Sequence, residues 1–248
     1  MKKLGLLLAG VAMALLLVGT SFAAEKTYVN GIDFGFPPFG FVDKDGKPSG
    51  FDVEAVNWIA KKKGFTVKHQ PMDWDGIIPA LLAGKIDFIA SGMSATAERN
   101  ELVDFTLPYY VVTQVLVVRG DEKASLEEML TTGKSLAVQR GTVTAKLLEG
   151  LVKKPGYDFK LKQYDSTDLS MQDLPIGRID GSGMDSSIAK EVLKGTSFKI
   201  AGTFEALPEN YGYAVREEDN ELLKTLNEGL LELMADPYWE ELKAKWGL

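Results

Sequence analysis

The residues able to do chemistry in this 248-residue chain are few, and what is missing narrows the field first: there is no cysteine and one histidine, His69. Disulfide scaffolding and thiol catalysis are therefore excluded, and a His/Cys metal centre has no set of ligands. What remains is charged, aromatic and backbone. Arg99 follows Thr96, a good helix N-cap, so its guanidinium rides on the first turn of a short helix, a planar and permanently charged fork shaped to grip an anion. Ser91-Gly92-Met93-Ser94 lies just before it, at the end of a buried apolar run, and Gly141-Thr142-Val143-Thr144 forms a second turn into a helix. Backbone N–H groups at such turns lack partners, and the helix dipole favours negative charge there. Asp33 stands at the end of the first strand and Asp185 at the end of a later one. Phe36 and Trp74 offer ring faces that a cation can sit on. His69 falls on the apolar side of a strand and reads as structural.

The elements that must hold these groups alternate between short β-rich runs and amphipathic helices, which predicts α/β layers around mostly parallel sheets. Strands are expected at residues 28–33, 65–69, 86–90, 113–118, 136–139, 180–185, 198–201 and 211–215. Helices are expected at 52–63, closed by Gly64; at 77–83, closed by Gly84; after Thr96; from Ser125 through 130; and after the turn at 141–144. Lys44-Asp45-Gly46-Lys47 reads as a hairpin turn. The C-terminus is helical: Leu222, Leu226, Leu230 and Leu233 recur at helix spacing, and so do Trp239, Leu242 and Trp246. Residues 207–210 interrupt the pattern.

Met1-Lys2-Lys3, the apolar run 4–18 and Ser21-Phe22-Ala23 have the pattern of a cleaved secretion signal over residues 1–23. No cysteine follows that run to carry a lipid anchor. Without Lys2 and Lys3 the formal charge goes from −7 to −9, and no Lys/Arg-rich stretch is left, which argues against nucleic acid or anionic lipid as partner and for a small ligand.

Six runs of residues, in series, carry a resemblance. They are 33–39 (Asp-Phe-Gly-Phe-Pro-Pro-Phe), 72–81 from Met72-Asp73-Trp74, Ser91-Gly92-Met93-Ser94 leading to Glu98-Arg99, Asp104-Phe105-Thr106 with Pro108-Tyr109-Tyr110, Arg140-Gly141-Thr142, and Gly177-Arg178-Ile179-Asp180. Together they closely resemble the polar amino-acid-binding proteins of bacterial ABC importers, family 3 of the extracellular solute-binding proteins. The resemblance implies a two-lobe, type II periplasmic-binding-protein-like α/β fold with two crossover strands. Lobe one would comprise 26–110 and 211–248, and lobe two 111–210. It also implies a monomeric periplasmic protein, without cofactor, metal or catalysis, that hands a free amino acid to a membrane permease.

Such a ligand presents a carboxylate and an ammonium on adjacent carbons. The resemblance puts Arg99 on the carboxylate, helped by backbone N–H groups of Met93 or Ser94 and of Val143 and by the hydroxyls of Ser94 and Thr142. It puts Asp185 on the ammonium, with the Ser91 or Gly92 carbonyl. Phe36 and Trp74 would sandwich the ligand side chain, Asp33 would accept from its end, and Gln139 with Met184 would line the far wall. This set ranks arginine first, then lysine or histidine, then glutamine. A cyclohexadienyl dehydratase-like enzyme on the same scaffold is the alternative of another class, with Asp33 and Asp185 as its acid and base. Two departures from the family pattern stand out: Asp173 and Pro175 where a regular helix is usual, and Gly181-Ser182-Gly183, small residues for the strand before Asp185.

Overall fold

A computed structural model describes residues 25–248; the expected secretion signal at 1–23 lies outside them. Two five-stranded sheets organise the chain. In the first, Thr66–Pro71, Thr27–Ile32 and Phe88–Ile89 run parallel in that order, followed by Ala214–Val215 antiparallel and then Asp104–Phe105. In the second, Phe159–Tyr164, Lys134–Gln139 and Gly181–Asp185 run parallel, followed by Gln114–Val118 antiparallel and then Lys199–Thr203. The two sheets thus share one topology, and in each the antiparallel fourth strand has just arrived from the other half of the chain. Between them, Tyr110–Val112 pairs antiparallel with Glu209–Tyr211 as a two-stranded crossover ribbon.

Local signals explain most of the elements. Thr96, Ser125 and Thr142 are N-caps whose side chains accept from the N–H of Arg99, Glu128 and Ala145, and Ser125 with Glu128 completes a capping box. Gly64 ends the helix Phe51–Lys63 in the left-handed conformation. Four of the five strands in each sheet run the same way, as expected of mostly parallel sheets; the exception is the fourth, which returns through the crossover and enters antiparallel. The run expected as one strand at 211–215 is two: Tyr211 ends the ribbon, Gly212 donates its N–H to Met93, and Ala214–Val215 then joins the first sheet. The expected strand at 86–90 shortens to Phe88–Ile89.

Both departures from the family pattern have a packing reason. The helix Thr167–Asp173 does form; it ends at Asp173, whose carboxylate accepts from Tyr164 Oη and Arg178 Nη1, and Pro175 lies beyond it. Gly183 is small because a Cβ there would sit 2.8 Å from a Thr144 methyl, so the helix Val143–Leu151 can lie close to the strand leading to Asp185. His69 accepts or donates to Asn30 and Asn57, the structural role expected of it.

Candidate functional site

In α/β sheets the carboxyl ends of the parallel strands leave side chains and loop amides unused, and there ligand sites form. Both sheets turn those ends toward each other. Ile32 leads into Asp33, Pro71 into Trp74, and Ile89 into the 91–94 turn; from the second sheet, Gln139 leads into the 141–143 turn, and Gly181–Asp185 ends on Asp185.

On the first wall, Asp33 donates its N–H to Ser91 Oγ (3.0 Å) and accepts the Gly35 N–H on Oδ1 (2.8 Å). Its Oδ2 accepts from Gln139 Nε2 across the gap (2.7 Å). Burial, and after it the neighbouring charges of Asp168 and Asp73, raise its pKa, against the bonds from Gly35 and Gln139 that lower it. Arg99 donates from Nη1 to the Ser94 carbonyl (2.9 Å) and from Nη2 to the Gly141 carbonyl of the facing lobe (3.2 Å), with its guanidinium carbon 5.3 Å from the Trp74 ring centre. Trp74 Nε1 donates to the same Gly141 carbonyl (3.1 Å). Burial lowers the Arg99 pKa, partly opposed by Asp185 and Glu209. The Phe36 and Trp74 rings stack at 6.0 Å and 13°. A flat group between them needs about 7 Å, two contacts of ~3.5 Å, so the pair must part by about 1 Å to sandwich a ligand. Ser94 faces Tyr211 in an isolated bridge whose bonds, Gly212 N–H to Met93 and Ala95 N–H to Asn210, are made by the flanking residues, so the Ser94 N–H takes no part in it.

On the second wall, Thr142 caps the nine-residue helix Val143–Leu151, which leaves the Val143 and Thr144 N–H groups without intrahelical partners. Asp185 ends its strand opposite Gln114 and accepts from the fully buried Tyr211 hydroxyl. Burial pushes its carboxyl up to about 6; Glu209 adds to the rise, while Tyr211 and Arg99 oppose it. Asp185 and Arg99 therefore bear on each other from opposite lobes.

Of the expected residues, Arg99, Thr142 and Val143 line one inter-lobe groove of about 730 Å³, together with Asp75, Glu98 and Lys146. Asp33, Phe36, Trp74, Ser91, Gly92, Gln139 and Asp185 are not in its lining; Asp33 joins Ser91 and Gln139, Phe36 packs on Trp74 and close to Gly92, and Asp185 meets Tyr211. Met93 and Met184 are core side chains. Gln139 is buried, and besides Asp33 it bonds the Asp165 carbonyl and the Thr167 hydroxyl.

Sequence reasoning missed Glu209 and Tyr211 on the crossover ribbon. Glu209 Oε2 is buried without a hydrogen-bond partner among the described residues, and burial raises its pKa. The signal was there, an acid beside Pro208 in the run that interrupts the strand pattern. Asp52 was missed as well. It sits in the first turn of its helix, where an acid reads as a dipole partner, yet it is fully buried. Among the described residues no group of three or more His, Cys, Asp or Glu side chains is placed to hold a metal ion, and no helix is long and apolar enough to cross a membrane.

Comparison with known proteins gives this arrangement its family. The L-cystine-binding protein of Escherichia coli is 32% identical over 222 residues, 89% of this chain and 82% of that one. The L-arginine-binding protein of Pseudomonas aeruginosa is 32% identical over 259 residues, 99% and 96% of the two chains. An ancestral arginine-binding protein solved with arginine superposes with a TM-score of 0.82 at 38% identity, covering 90% of this chain and 98% of its own. The two lobes and their shared topology are those of a type II periplasmic binding protein. The sequence profile of the family matches residues 28–248, and the chain belongs to the bacterial extracellular solute-binding proteins, family 3.

Proposed function

We propose that this protein, once secreted and trimmed of residues 1–23, captures a free L-amino acid between its lobes in the periplasm and delivers it as a monomer to an ABC importer. Lobe one is assigned to 26–110 with 211–248, and lobe two to 111–210. The observation that carries the reading is Arg99 reaching from one lobe to the Gly141 carbonyl of the other at 3.2 Å, with Asp185 near enough for each charge to shift the other's pKa. A zwitterion complements both charges at once, and pairing is what makes their burial tolerable. Arg99 grips the carboxylate, helped by the N–H groups of Ser94 and Val143 and the hydroxyls of Ser94 and Thr142. Asp185, with the Ser91 or Gly92 carbonyl, takes the ammonium.

Arginine is the ligand we favour, ahead of lysine or histidine and then glutamine. Asp33 is a buried carboxylate whose charged form Asp168 and Asp73 further disfavour, and a cationic side chain would reverse that penalty. The Trp74 face already supports one guanidinium, that of Arg99. Several relatives are named arginine-binding, beside others named for cystine and histidine, which supports arginine as the first choice.

The test is calorimetric titration with the twenty amino acids and cystine, on protein unfolded and refolded to strip carried-over ligand. Arginine is expected at micromolar Kd or tighter, about −8 kcal/mol or beyond. Arg99→Ala removes the partner of the ligand carboxylate, which the closed cleft buries, and is expected to cost ~2–5 kcal/mol, a loss of ~30-fold or more. An affinity within a few-fold of the parent's refutes the assignment. Turnover of prephenate or arogenate would instead favour the dehydratase, with Asp33 and Asp185 as acid and base.

A further inference from the structure

Behind the ligand-facing turn lies a carboxylate that the binding reading does not use. Asp52, the second residue of the helix Phe51–Lys63, is 0% exposed. Its Oδ2 accepts the Gly92 N–H at 2.7 Å and the Tyr109 hydroxyl at 2.9 Å, while Oδ1 is buried with no partner among the described residues. Tyr109 is itself fixed, stacked on Phe51 at 6.0 Å and 12° and packed against Tyr213 at 4.9 Å. Gly92 has φ +59, and a Cβ on it would lie 2.8 Å from the Phe36 ring, so the turn has no freedom on its cleft side either.

The peptide joining Ser91 to Gly92 is trans, as Pro37-Pro38 is the only cis bond among the described residues. In a planar trans unit the N–H and the C=O point in opposite directions. Holding the Gly92 N–H against Asp52 therefore aims the Ser91 carbonyl away from the lobe-one helix. The Ser91 hydroxyl is held as well, by the Asp33 N–H at 3.0 Å.

We propose that Asp52 is a positioning residue for ligand binding: by taking the Gly92 N–H it fixes the Ser91–Gly92 peptide plane and aims the Ser91 carbonyl at the ammonium of the bound amino acid, without touching the ligand. This rests on the amino-acid reading above. Apolar packing alone would not require an acid here, and a buried carboxylate with a bare oxygen is costly unless its placement serves something. The titratable groups that bear on Asp52 are Tyr109, Tyr211 and Tyr213, all held well above the usual tyrosine range by burial first. Glu54, on the same helix, is taken up by Lys245 and Tyr238. Burial pushes Asp52 up to about 7, against the bonds from Tyr109 and Gly92 that lower it.

The test pairs calorimetry with amide NMR on the whole mature chain. Asp52→Ala leaves the Gly92 N–H buried and unpaired, and arginine affinity is expected to fall ~10-fold or more. Asp52→Asn keeps an acceptor oxygen and is expected to bind within ~3-fold of the parent. In the parent, the Gly92 amide proton should titrate with a midpoint near 7, and in Asp52→Asn that titration should vanish. A packing role alone would move neither the affinity of the folded protein nor that resonance. Parental affinity in Asp52→Ala, or a Gly92 amide resonance that Asp52→Asn leaves unmoved, overturns the proposal; if the alanine variant does not fold, that resonance decides. Arg99→Ala separates the two readings. If it binds like the parent, the amino-acid assignment fails; if it loses binding while Asp52→Ala does not, only the positioning role fails.

Discussion

Ligand binding should weaken below pH 6, and the charge on Asp185 sets by how much. Burial raises its carboxyl to about 6 in the protein without ligand, and the ammonium of an amino acid requires the ionised form. Binding then requires loss of a proton wherever Asp185 is protonated, and the apparent affinity falls by a factor of 1 + 10^(6 − pH). That factor is about 1.1 at pH 7, about 11 at pH 5 and about 100 at pH 4, the pH 5 value corresponding to ~1.4 kcal/mol. The assay is calorimetric titration from pH 4 to 8 in buffers of differing ionisation enthalpy, which also counts the protons released. Glutamine is a useful second ligand, since its neutral side chain leaves Asp33 out of the titration. Asp185→Asn should bind weakly at every pH and lose the dependence attributed to this group. Affinity flat between pH 5 and 7, or a slope that survives in Asp185→Asn, would refute the ammonium role and the burial argument behind it.

Three further expectations follow from the same geometry. Tyr211→Phe removes the hydroxyl that holds Asp185 down, so the midpoint of the binding profile should move above 6; an unmoved midpoint in the same titration would mean that the Tyr211 bond does not act on ligand binding. Gly92→Ala forces a left-handed alanine against the Phe36 ring, at a cost of ~1–3 kcal/mol, and should lower both Tm and arginine affinity; full retention of both would show that the turn is pliable. Lys146→Ala breaks the exposed inter-lobe pair with Glu98, worth ~0–1 kcal/mol, so affinity should change by no more than ~5-fold and the change should shrink in high salt; a larger loss would make this contact a principal clamp.

The stability of the ligand-free protein carries its own pH signature. The folded-state pKa values of Asp52, about 7, and Asp185, about 6, stand above those of an unfolded carboxylate. Between about pH 4 and 7 the folded state therefore binds more protons than the unfolded one, and the contribution of these two groups to stability falls as pH rises through that window. Asp52→Asn should flatten the upper part of that slope in urea unfolding.

Where local physics decides an element, the sequence displays it. Thr96, Ser125 and Thr142 cap their helices because a hydroxyl can satisfy an end N–H, a rule that needs no tertiary information. The same rule put Arg99 and Val143 at helix starts. The groups that escaped sequence reasoning are those whose meaning depends on partners far along the chain. Asp52 takes its role from Gly92 and Tyr109, 40 and 57 residues away, and Tyr211 from Asp185, 26 residues back across the crossover. The one antiparallel strand in each mostly parallel sheet was missed for a similar reason: strand direction at each fourth position is set by the crossover, and the apolar pattern of Gln114–Val118 is the same for either direction. Gly181 and Gly183, unexplained in the sequence, are accounted for once Leu116 and Thr144 are seen against them.

The most direct measurement compares the bound amino acid with its decarboxylated and its deaminated analogues, by calorimetry, against the parent and Arg99→Ala. The decarboxylated analogue should bind the parent at least ~100-fold more weakly than the amino acid does and should gain nothing from the presence of Arg99, and the deaminated one should suffer a comparable loss. A decarboxylated analogue that binds the parent as tightly as the amino acid would contradict the account at its centre.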